Sequence, residues 1–140
     1  MTPELFYLLC SVALTVVLVL VATLGATQQV GLPTLAGNRE NLPEMPGWAG
    51  RAERAHRNML ESLVLFAILV LAARALNISN GMTVLGAQLF FWGRVAHAAL
   101  YIAGIPWLRT AAWLLSVVGL LLIFLQLIGQ RAGGQSTKSP

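Results

Sequence analysis

From Leu5 to Asn38 the chain carries no formal charge, and from Leu5 to Ala26 it is almost wholly apolar. About 20 apolar residues are enough for a helix to cross the hydrocarbon core of a bilayer. The run is too long, and lacks the basic leader, for a cleaved signal peptide, so a first transmembrane helix is expected. The rest of the sequence agrees with an apolar solvent. Asp, Glu, Lys and Arg make up 10% of the 140 residues, nine basic and five acidic, against roughly 25% in a soluble domain. So few charges cannot cover a water-facing surface. A soluble enzyme, a disordered chain and a secreted disulfide scaffold are therefore not expected. The single Cys10 has no intramolecular disulfide partner, and within an apolar helix its thiolate is disfavoured. The net charge of +4 is spread thinly between apolar runs, which points to membrane lipids as partners and not to nucleic acid.

The punctuation of the chain predicts an all-α fold, an integral membrane four-helix bundle with spans at about 4–27, 50–76, 81–103 and 107–130. Between the first two lies a stretch broken by Gly31, Pro33, Gly37, Pro43, Pro46, Gly47 and Gly50, which reads as a long loop. Asn77 to Gly81 is a polar turn, and Pro106 suits the first turn of the last helix. Residues 132–140 are expected to be a flexible tail. An even number of spans puts both termini on one side. The side of the first and third loops carries Arg39, Arg51, Arg54, Arg57 and Arg109, with Arg94 nearest to it, against Arg74, Arg131 and Lys138 on the other. The positive-inside rule then places the long loop in the cytoplasm. Trp48 and Trp107 lie near span ends, as interfacial anchors or as ordinary packing residues.

The second span begins with charge. Arg54, Arg57, Asn58 and Glu61 are spaced i, i+3, i+4, i+7 and share an arc about 100° wide, with Arg51 just beside it. His56 points the other way and is expected to be a packing or interface residue. A solvated helix start with one internal ion pair, Arg57 with Glu61, explains Arg51, Glu53 and Arg54. It does not explain why Asn58 and Glu61 continue the same line into apolar territory, where a charge costs several kcal/mol unless paired or hydrated. Glu61 reads as the only acidic residue inside a span, the first span carrying no charge beyond Glu4 at its start.

The third span carries a matching stripe, Arg94, His97 and Tyr101, at i, i+3, i+7. An arginine stays protonated when desolvated and must find acceptors. Arg51, Arg54, Arg57, Arg94 and Arg109 outnumber the nearby acids Glu53 and Glu61. This excess implies a missing anion, read as a small ligand with carboxylates held by arginine forks. No metal is expected, because His56 and His97 have neither Cys nor paired carboxylates at ligand spacing. No serine and histidine have the spacing of a nucleophile and its base, and no glycine loop is built to cradle phosphate.

The run Glu53-Arg54-Ala55-His56-Arg57-Asn58-Met59-Leu60-Glu61 resembles the signature of the MAPEG family, the membrane-associated proteins in eicosanoid and glutathione metabolism. Phe91-Trp92-Gly93-Arg94-Val95-Ala96-His97 followed by Tyr101 resembles the family's third-helix motif, and Leu108-Arg109-Thr110 the start of its fourth helix. The short loops resemble the bacterial branch. The resemblance implies a homotrimer in a bacterial inner membrane, with glutathione as co-substrate bound between protomers near the cytoplasmic face. By motif, Arg51, Arg54, Arg57, Asn58, Glu61 and Arg94 would bind the peptide, Glu61 at its ammonium group. His97 and Tyr101 would line the pocket, while Arg109, Thr110 and Tyr101 would stand nearest the chemistry. Two departures are visible. Trp113 stands where eicosanoid synthases carry an aromatic hydroxyl, and Gln28-Gln29-Val30-Gly31 occupies the place where some members carry arginine.

The activity implied is that of a membrane glutathione transferase. Arg109 would lower the thiol pKa, ordinarily about 8.5. The thiolate would then attack, or reduce a peroxide of, a small apolar substrate from the bilayer. A non-catalytic glutathione- or lipid-binding protein on the same scaffold is the first alternative, since a fold does not guarantee turnover. A small multidrug transporter is the second, weakened by the absence of a carboxylate within the first span.

Overall fold

The structure is a computed structural model and describes residues 1–133. Its regular structure is helical throughout, with no strand among the described residues: α1 Pro3–Val30, α2 Leu32–Ala36, α3 Gly47–Ala75, α4 Gly81–Ala103 and α5 Pro106–Gly133. The tail expected over 132–140 falls, from residue 134 on, outside the described residues, as does Lys138.

Three helices, α1, α3 and α5, are long and apolar enough to cross a membrane. The fourth long helix, α4, has 23 residues and is diluted by Gln88, Arg94 and His97. The long linker between α1 and α3 is not wholly irregular. Gln28 and Gln29 continue α1, and the Gln29 side chain donates to the Pro46 carbonyl at 3.0 Å, tying the two ends of the linker together. Gly31, at φ +83°, ends α1 and starts the short α2, in which Pro33 takes an early position.

Small residues set how close the helices come. A methyl group added at Gly86 would lie 2.7 Å from the Gly119 carbonyl oxygen, so α4 and α5 touch backbone to backbone. Gly93 repeats this one notch along, where a Cβ would meet the Ser116 nitrogen at 2.9 Å. These glycines therefore serve a seam inside the protomer, where small residues allow apolar helices to approach without a hydrophobic drive. Gly25 does the same between α1 and α3, against Ala49. The core between the seams holds Leu18, Met59, Ile123 and the stacked rings of Phe66 and Phe90, 4.1 Å apart.

The burial of the two acids Glu4 and Glu61 is the reverse of what their positions along the chain suggest. Glu4 lies in the first turn of α1 and is 2% exposed, whereas Glu61 is exposed. The Glu4 carboxylate accepts from Ser79 Oγ at 2.9 and 3.1 Å, and from the Thr83 hydroxyl. Asn80 caps α4, accepting from Met82 and Thr83 backbone N–H groups at 2.9 and 3.1 Å, and its Nδ2 donates to Gln126 Oε1 at 3.1 Å. A polar knot thus closes one end of the bundle and joins α1, α4 and α5. The buried carboxylate is thus Glu4, at the start of the first span, and Glu61, expected inside a span, is exposed in the protomer.

Candidate functional site

At the other end of the bundle the chain turns sharply from α4 into α5. Gly104 takes the left-handed conformation at φ +81°, which only a residue without Cβ adopts cheaply, and Pro106 begins α5. The last turn of α4 and the first turn of α5 therefore face each other. This brings Arg109 over the face of the Tyr101 ring, 4.3 Å from its centroid. Such a contact is worth about 0.5–2 kcal/mol and fixes where the guanidinium sits. The Tyr101 ring in turn meets the His97 ring edge-on at 5.5 Å.

Asn58 on α3 completes the arrangement. Together with His97, Tyr101, Arg109, Thr110 and Trp113 it lines an open recess of about 240 Å³. Arg94 sits behind Asn58, 1% exposed, and its Nη2 donates to Asn58 Oδ1. Nε and Nη1 of Arg94 and Nδ1 of His97 are buried without a hydrogen-bond partner among the described residues. Among the described residues no carboxylate lines the recess. Its charge is set by Arg109 at the wall and Arg94 behind the floor.

The other residues of the α3 stripe lie elsewhere in the protomer. Arg51 turns toward the end of α4 and donates from Nε to the Ile102 carbonyl at 2.9 Å, satisfying one of the carbonyls a helix leaves unpaired at its C-terminus. Arg54, Arg57 and Glu61 are exposed. Arg57 pairs with Glu53 at 3.0 Å, not with Glu61 as expected. The preference has a physical cause: an acid one turn before a base is the better orientation on a helix. Among the described residues Glu61 has no ion-pair partner. At 100° per residue Arg54, Arg57 and Glu61 lie to one side of Asn58, away from the α4 contact.

One residue lining the recess was not among the expected site residues. Trp113, one turn after Arg109, lines the recess with an indole in place of a hydroxyl. The Arg109 to Tyr101 contact depends on the Gly104 turn, which the helical spacing of either span does not reveal. The Thr110 hydroxyl donates to its own helix, to the Pro106 carbonyl at 3.1 Å. Among the described residues no three His, Cys, Asp or Glu side chains gather as a metal site.

A family model described as MAPEG family matches residues 5–129. No curated protein and no solved structure matches the chain.

Proposed function

The chain belongs to the MAPEG family, and on that premise we propose that this all-helical integral membrane protein is a glutathione transferase-like enzyme. The observation that carries the reading is the recess itself: a guanidinium held at Arg109, a second behind the floor at Arg94, and no carboxylate among the described residues to neutralise them. Such a site favours an anionic guest. Glutathione has two carboxylates and a thiol that a nearby cation makes easier to ionise.

In this proposal α4 is the remaining span of a four-helix bundle, and three protomers associate. The exposed Arg54, Arg57 and Glu61 of α3 would then reach the recess of a neighbour, Glu61 meeting the peptide's ammonium group. Asn58, His97 and Tyr101 orient the peptide, and Arg109 stabilises the thiolate. That thiolate forms a carbon–sulfur bond to an apolar electrophile and expels its leaving group as an anion. With a hydroperoxide, two thiols give a disulfide, an alcohol and water. Apolar substrates arrive from the bilayer, where they are concentrated. The excess of arginine at this end supports a site facing the cytoplasm of a bacterial inner membrane.

A second reading, binding of glutathione or a lipid without turnover, has its own support. Thr110 spends its proton on Pro106, and Trp113 offers no hydroxyl, so neither readily donates to a sulfur. The transporter reading gains the buried Glu4. That carboxylate is tied by Ser79 and Thr83 in the first turn of α1, away from the recess.

Isothermal titration with glutathione, followed by turnover assays with an aryl halide and with a lipid hydroperoxide, tests the proposal. Binding with turnover supports it. Binding without turnover moves the protein to the second reading, and no binding removes the anion-site argument. Proton-driven efflux from vesicles lacking thiols would favour the transporter.

A further inference from the structure

Among the described residues Arg94 is the bulkiest fully buried side chain, and the only hydrogen bond it makes is to Asn58. A guanidinium has donors and no acceptor. Whichever group of the Asn58 carboxamide faces Arg94 must therefore be the oxygen. The amide cannot be flipped without setting NH2 against a guanidinium, two donors face to face. Asn58 also lines the recess, and its remaining polar group is Nδ2. From this we infer that Arg94 is a positioning residue: it fixes the Asn58 carboxamide so that the NH2 group faces the recess and selects a hydrogen-bond acceptor on the ligand.

The inference rests on the proposed binding of glutathione for its substrate, but not for its geometry. An unrestrained asparagine can turn its amide by half a rotation and greet either a donor or an acceptor. Held by Arg94, it keeps its oxygen turned to the guanidinium and meets the ligand with its NH2 group. The recess then offers donors from Asn58 and Arg109, suited to a carboxylate or carbonyl oxygen and poorly suited to an ammonium group. Arg94 itself is sealed from the recess, because its Nε and Nη1 atoms are buried. Its contact with a ligand passes through Asn58, and beyond that it contributes only the field of its charge.

The test has two parts. The first is a double-mutant cycle on glutathione affinity, measured by titration in nanodiscs with N58A, R94Q and the double variant. Glutamine can donate or accept, so R94Q releases the amide. Each single change is expected to weaken binding about tenfold, the loss of one hydrogen bond to a charged group. The double variant is expected to bind within about twofold of N58A, because Arg94 has nothing left to position and only its screened charge remains to be lost. Factors that multiply would overturn the inference, since Arg94 would then act on the ligand directly. The second part needs no ligand. With selectively labelled asparagine, the Asn58 NH2 protons of the unmutated protein are expected to show magnetisation transfer to ring protons of the recess, those of His97 foremost. Transfer to the Arg94 guanidinium without any to the recess overturns the inference even if R94Q does not fold. Should the protein not bind glutathione while this signature is present, the proposed function fails and the orientation of the amide stands.

Discussion

Replacing Glu4 with alanine removes the acceptor from two hydroxyls, Ser79 Oγ and Thr83 Oγ1, at a position that is 2% exposed. The Thr83 hydroxyl already accepts from the Asn80 N–H at 2.9 Å, and its proton loses its carboxylate partner. A buried polar group left unsatisfied costs about 1–3 kcal/mol, so two predict a loss of roughly 2–6 kcal/mol. Water entering the vacated space, or the carbonyl of Asn80 taking the Thr83 proton, pulls the result to the low end. Glu4→Gln retains an oxygen acceptor and forfeits only the charge assistance. Hydrogen bonds to charged groups are worth about 1.5–3 kcal/mol against about 1 for neutral ones, so with two such bonds this variant should lose roughly 1–4 kcal/mol. Reversible unfolding in mixed micelles, titrated with a denaturing detergent, gives the order wild type, then Glu4→Gln, then Glu4→Ala. Glutathione affinity should be the same in all three, because the knot lies at the end of the bundle remote from the recess. An alanine variant within about 0.5 kcal/mol of wild type, less than the smallest value for one unsatisfied group, would refute the reasoning.

Other outcomes follow from the site and the seams. Arg109→Ala should still bind glutathione but lose the ultraviolet absorbance of the bound thiolate; an unchanged thiolate signal would remove Arg109 from that role. Gly119→Leu forces side-chain atoms into the Gly86 and Phe90 backbone, where a Cβ alone would lie 2.7 Å from the Phe90 nitrogen. Overpacking of this kind costs about 1–3 kcal/mol or more, visible in the same detergent titration. Arg57→Ala should leave the stability of the protomer within about 0.5 kcal/mol, since its pair with Glu53 is exposed. If Arg57 reaches a neighbour's ligand, the same variant should nonetheless weaken glutathione binding several-fold, and parallel stability and affinity measurements on it separate the two.

Local patterns made part of this legible, and contacts across the chain hid the rest. The helical character of the chain and the stripe Arg94, His97, Tyr101 follow from runs and spacings within one element. So does the arc that holds Arg54, Arg57, Asn58 and Glu61. The arc did not reveal that only Asn58 faces the recess of its own protomer, because which edge of a stripe meets α4 is decided by packing. The pairing of Arg57 was open to a local rule: Glu53 and Glu61 are equally distant along the helix, and the orientation preference favours Glu53. The role of Glu4 was not legible, for its partners Ser79 and Thr83 lie 75 and 79 residues away. The close seam of Gly86 with Gly119 is likewise a match between two helices, which neither shows alone.

That seam governs how the lining groups of the recess are spaced. Two rods locked backbone to backbone shift as one body, so His97, Tyr101, Arg109, Thr110 and Trp113 travel together and keep their mutual spacing. Asn58 rides on α3, which meets α5 over a much smaller contact. It is nonetheless held to that body by the bond from Arg94 of α4, so the sixth lining group is referred to the same rigid unit as the other five.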